Sequence, residues 1–177
     1  MATKKSAKKP VRKTAKKVAR RAVAKPAKKA AARAGAKGEP TKIFVNLAVQ
    51  DLARSKAFFG KLGYKFNPKF TDENAACMVI SDDIYAMLLV PRFFQSFTSK
   101  AIVDARASVE AILALSLPSR KAVDAIVAKA YAAGGRKYRE PQDFGFMYSC
   151  AFEDPDGHLW EYVWMDPVAA ANGPPKA

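Results

Sequence analysis

The chain has one histidine and two cysteines among its 177 residues. Neither number favours a metal centre of imidazole and thiolate. Cys77 and Cys150 stand in apolar runs with no CxxC spacing, which suits buried thiols in a reducing compartment better than a disulfide or a zinc ligand set. A run of about 18 apolar residues, the length a bilayer demands, is missing, as is the apolar stretch of a secretory signal. These absences point to a cytoplasmic protein with no membrane partner. Residues 1–38 lack every aromatic residue, leucine and isoleucine. A segment with so little apolar surface to bury cannot offset the entropy of ordering, so it is expected to be disordered when free in solution.

What that segment has is positive charge. The net charge of the whole chain is +15, yet residues 1–40 hold 15 of the 31 Lys and Arg and only one acid, Glu39. Beyond residue 40 the charges nearly cancel. A basic tail of this kind implies a polyanionic partner, nucleic acid before acidic membrane. The candidate phosphate contacts are Lys4, Lys5, Lys8, Lys9, Arg12, Lys13, Lys16, Lys17, Arg20, Arg21, Lys25, Lys28, Lys29 and Arg33. The repeated AKK unit and the Lys, Ala and Pro composition resemble the tails of linker histones and of bacterial histone-like proteins. Such a location would be cytoplasmic and associated with the nucleoid. Gly35, Gly38 and Pro40 mark the end of the tail, and a folded domain is expected over residues 41–166, with 167–177 as a flexible C-terminus.

From Lys42 the apolar period becomes two. In KIFVNLAV, Ile43, Val45, Leu47 and Val49 alternate with Phe44, Asn46 and Ala48, as in a half-buried strand. Asp51 is placed to cap a helix through Leu52, Phe58, Phe59 and Leu62, with Gly63 as its left-handed end. Strand-like runs follow at 64–66, 75–81 and 84–90. After the aromatic connector PRFFQSFTSK the order returns: a strand in SVEAILALSL, a helix capped by Ser119 and ended by Gly134, then strands in RKYREP, GFMYSCAFE and HLWEYVWM. The chain thus repeats a β-α-β-β-β unit of about 60 residues, in modules near 41–91 and 108–166.

A doubled unit of this order resembles the vicinal oxygen chelate superfamily, which includes glyoxalases, bleomycin-resistance proteins and dioxygenases. VNLAVQDLARSKAFFGKLGYKF is similar to the family's opening strand, capped helix and Leu-Gly-Tyr turn, and FEDPDGHLWEYVW to its closing hairpin. The resemblance implies an α+β fold in which two βαβββ modules form a cupped mixed sheet, with helices on the convex face. It also makes a homodimer an expectation, without deciding whether the cup is built within one chain or between two.

In metal-dependent members, four side chains on four strands hold a divalent cation that polarises substrate oxygens. Carried over, these slots fall on Phe44, Met87, Ile112 and Glu161, of which only Glu161 can ligate. Neither a cofactor nor a bound divalent metal is therefore expected. His158, in the DPDGH turn, would lie about 10 Å from Glu161 and reads as a turn residue. The apolar slots imply a greasy cup with Glu161, Asn46 and Ser116 as its polar points, and by strand parity Tyr85 shares the face of Met87. If catalysis survives, Glu161 is the candidate general base, strengthened by a water-poor cup. Trp160, Tyr162 and Trp164 take the opposite face, as core. Three functions fit this reading: a metal-independent small-molecule-binding protein tethered to nucleic acid, a glyoxalase-like lyase or related enzyme, and a nucleoid-associated structural protein.

Overall fold

The computed structural model describes residues 40–175. The basic tail, and every phosphate contact named on it, lies outside the described residues. The first module runs β1 (Ile43–Ala48), α1 (Leu52–Leu62), β2 (Lys65–Phe66), β3 (Ala75–Val79) and β4 (Ile84–Leu89). Asp51 caps α1 by accepting from the Arg54 amide at 2.9 Å, and Gly63 ends it at φ 105°. Gly63 is one of the positions where the missing Cβ matters, because a left-handed residue must close the helix before β2 can turn back. The strands lie in the order β1-β4-β3-β2, with β1 parallel to β4.

The second module repeats this. It runs β5 (Ile112–Ser116), α3 (Arg120–Ala133), β6 (Arg136–Lys137), β7 (Gln142–Asp143), β8 (Met147–Glu153) and β9 (Leu159–Met165), in the order β5-β9-β8-β6 with β7 also on β8. Three segments depart from expectation. The connector opens with a short helix, α2 (Pro91–Gln95), because Pro91 supplies a preset first-turn φ. The strand expected across RKYREP breaks after Lys137, and residues 138–141 form a loop before β7. The C-terminus, expected to be flexible, begins with α4 (Pro167–Asn172), capped by Asp166 and seated by the buried Ala169. Among the described residues no helix is long and apolar enough to cross a membrane.

The convex faces of both sheets look into one core. Ala76, Met78, Ala86 and Leu88 from the first sheet and Cys150, Phe152, Trp160 and Tyr162 from the second share it with Phe58 and Phe59 of α1 and Val123, Val127 and Ala130 of α3. The helices pack on each other, and α1 reaches the other module's sheet. The Phe59 ring meets Trp160 at 5.0 Å and Phe58 meets Phe152 at 6.0 Å, both edge to face. Just past α1, Tyr64 and Tyr162 share a hydroxyl hydrogen bond of 2.5 Å.

Burial raises both of these phenols, Tyr162 most strongly. An acid held neutral in the folded state contributes stability that is complete below its unfolded value and lost as pH rises above it. Stability should therefore hold to about pH 10, the ordinary tyrosine value, and fall beyond it. Alkaline unfolding followed with simultaneous phenolate absorbance checks this: the two tyrosines should ionise only as the chain unfolds.

Candidate functional site

With the convex faces of both sheets turned to one core and its helices, the concave face of each sheet is turned away from that core. Strand register assigns their residues. On the first sheet Phe44 lies beside Tyr85, and Asn46 beside Met87, which is in turn beside Cys77. On the second sheet Ile112 lies beside Leu159, Ser116 beside Val163, and Glu161 between Ala114 and Ala151. Within one chain the residues expected to line a single cup thus form two half-cups. Phe44, Asn46, Tyr85 and Met87 are together on one, and Ile112, Ser116 and Glu161 on the other. Apolar side chains stand open on both, with Phe44 51% and Ile112 48% exposed. Among the described residues each half-cup ends at an unpaired strand edge, β1 in one sheet and β5 in the other.

Glu161 is not surrounded by apolar walls. Arg139, from the loop between β6 and β7, donates through Nη2 to Glu161 Oε1, and both side chains are largely covered. A carboxylate engaged in this way is already an acceptor in an ion pair, so as a base it would first have to release the guanidinium. Sequence reasoning missed Arg139, which lay inside a run read as continuous strand. Arg139 Nε and Ser149 Oγ are buried here without a hydrogen-bond partner among the described residues. By register Ser149 and Glu161 are diagonal neighbours on one face.

Among the described residues no group of three or more His, Cys, Asp or Glu is placed to hold a metal ion. His158 acts as a fastener. Its Nε2 bonds to the Ala48 carbonyl at 2.8 Å, which makes that nitrogen the protonated donor, and its amide donates to Asp154. The whole DPDG turn works this way. Asp154 accepts from the Asp156 and His158 amides and from Trp160 Nε1, while Asp156 accepts from the Gln50 amide, Arg54 and Ser55. Gly157 adopts φ 97°, and a Cβ there would come within 2.8 Å of the Arg106 backbone, so the connector closes directly onto the turn. Cys77 and Cys150 are buried, and burial pushes both thiols above their ordinary value, which suits packing rather than reactivity. A cavity of about 610 Å3 runs along the free edge of β1 beneath the connector, with Ile102, Val109 and His158 in its wall. Of the residues expected to line the cup, only Asn46 reaches it.

Residues 41–81 match the family described as bleomycin resistance protein-like N-terminal. Solved structures are similar to this chain over most of its length. A hypothetical protein from S. aureus is 27% identical, covering 72% of this chain and 95% of its own with a TM-score of 0.61. A glyoxalase-related enzyme from Fulvimarina pelagi is 21% identical over 71% of this chain and 88% of its own, with a TM-score of 0.60. A glyoxalase/bleomycin resistance protein/dioxygenase from Nocardioides is 22% identical over 79% and 90%, with a TM-score of 0.59. The described domain has the fold of these glyoxalase-related and bleomycin-resistance structures. No curated protein matches the chain. At the one expected slot that carries a carboxylate, Glu161, the cation beside it is Arg139.

Proposed function

We propose that the chain is a small-molecule-binding protein that uses the vicinal oxygen chelate fold without its usual metal and is held on nucleic acid by its basic tail. The observation that carries this reading is the Arg139 to Glu161 ion pair. Three of the four slots are Phe44, Met87 and Ile112, and the one carboxylate that remains is neutralised by a guanidinium from its own chain. A divalent cation entering there would have to displace Arg139 and would gain a single protein carboxylate, far from the several ligands such ions take.

Two half-cups on separate sheets also favour a homodimer. In a two-fold pair, the first half-cup of one copy would face the second half-cup of the other. The exposed edges of β1 and β5 would then be covered, which removes a liability that long open edges otherwise create. The ligand would sit between Phe44, Tyr85 and Met87 of one copy and Ile112, Ser116 and Glu161 of its partner.

The metal is the direct test. After exhaustive dialysis, elemental analysis of the full chain should find no divalent metal at a meaningful fraction of one equivalent. About one equivalent of zinc, nickel or manganese per chain would restore the glyoxalase-like lyase and end the metal-free reading.

A further inference from the structure

Phe44 and Tyr85 occupy in-register positions on the neighbouring parallel strands β1 and β4, and so project from the same face. Their rings stack with centroids 4.9 Å apart and planes 11° from parallel. A phenyl ring that packs on one side and is half in water on the other gives up much of its burial energy. Phe44, 51% exposed, is such a ring, and it lies at the edge of its sheet, where nothing pairs with β1 on the outer side among the described residues. The platform it makes is uncharged. The Lys42 ammonium lies over Tyr85 at 5.8 Å but is bound by Asp83 at 3.0 Å and by the Asp82 carbonyl at 2.7 Å. In the sequence the 15 basic residues of positions 1–40 precede this platform, the last of them, Lys37, standing seven residues before Phe44.

We propose that the Phe44 and Tyr85 platform stacks an unpaired nucleobase of a single strand whose phosphates are held by the tail. The proposal rests on the nucleic-acid tether above and names the ligand class of the first half-cup: a planar, uncharged heteroaromatic ring. Every base has a π-face, so stacking is tolerant of sequence, as is binding by a Lys-rich tail. In a duplex those faces are hidden between neighbouring base pairs. The two contributions also separate by salt, because phosphate contacts are screened and stacking is not.

The experiment uses the full chain, with anisotropy titrations against a labelled oligothymidylate and a mixed-sequence duplex of equal length. Phe44→Ala removes an exposed ring and should weaken strand binding on the order of tenfold, leave duplex binding unchanged, and keep that ratio as salt rises. Phe44→Trp should restore strand binding. An oligonucleotide carrying iodouracil should crosslink to the peptide that contains Phe44 or Tyr85. Equal losses on strand and duplex, or crosslinks confined to residues 1–39, overturn the proposal and leave the tether intact. Competition by free thymidine monophosphate as effective as that of the strand also overturns it, by assigning the platform to free nucleotides. If instead removal of residues 1–38 changes neither affinity, the tether has failed, and the crosslink still judges the platform on its own.

Discussion

Removing residues 1–38 should abolish salt-sensitive binding to duplex DNA. If about ten phosphates are contacted, the slope of log affinity against log salt is about −9, and between about 50 and 200 mM salt the full chain loses up to about 10⁵ in affinity. The truncated chain should show no measurable slope, because beyond residue 40 there are only 16 basic residues against 15 acidic ones. Two unrelated duplex sequences should bind alike, since contacts to phosphate carry no base information. Fluorescence anisotropy over a salt series measures all three quantities. Equal affinity of the two proteins, or a strong preference between the sequences, would remove nucleic acid as the tail's partner.

The second large effect is on stability. Asp154→Ala should destabilise the chain by about 4 kcal/mol, a large part of the roughly 5–15 kcal/mol that holds a domain of ordinary size together. The Asp154 carboxylate is 1% exposed and receives three N–H groups, from Asp156, His158 and the Trp160 indole. Truncation leaves all three without an acceptor inside the protein, each costing about 1–3 kcal/mol. It also loosens the turn that seats Asp156 on Gln50, Arg54 and Ser55, and with it the seam between the modules. Urea denaturation should show a lower midpoint with little change in slope. Trp160→Ala should cost about 3–5 kcal/mol by opening a cavity against Phe59. The double variant should lose less than the sum, because the two side chains share one hydrogen bond.

Local chemistry explains why so much of the fold was legible beforehand. Asp51 with Gly63, and Ser119 with Gly134, bracket their helices as caps should, because an N-terminal acceptor and a left-handed C-terminal glycine satisfy needs that arise within a few residues. Strand parity was legible for the same reason. Trp160 and Tyr162 are fully buried while Glu161 between them is on the other face, as a period of two requires.

What stayed hidden depends on partners distant in sequence. Arg139 sits in a run whose first two residues pair with β8 and whose remainder leaves the sheet, and nothing local to RKYREP says where pairing stops. Its meeting with Glu161, 22 residues on, is a product of that loop. The arrangement of the modules was hidden likewise. The apolar stripe of α1 shows which side of the helix is buried, but the same Phe58 and Phe59 would serve whether they met one sheet or two. In the DPDG turn the expected turn chemistry is present, and the use of both aspartates as clamps could not be read from it.

A native mass spectrum of the full chain purified from its own cells tests the central claim most directly, because it reports metal, retained ligand and assembly in one measurement. The expected spectrum is a homodimer whose mass exceeds two chains by an organic ligand and contains no divalent metal. A monomer or dimer carrying one metal ion per chain would contradict it.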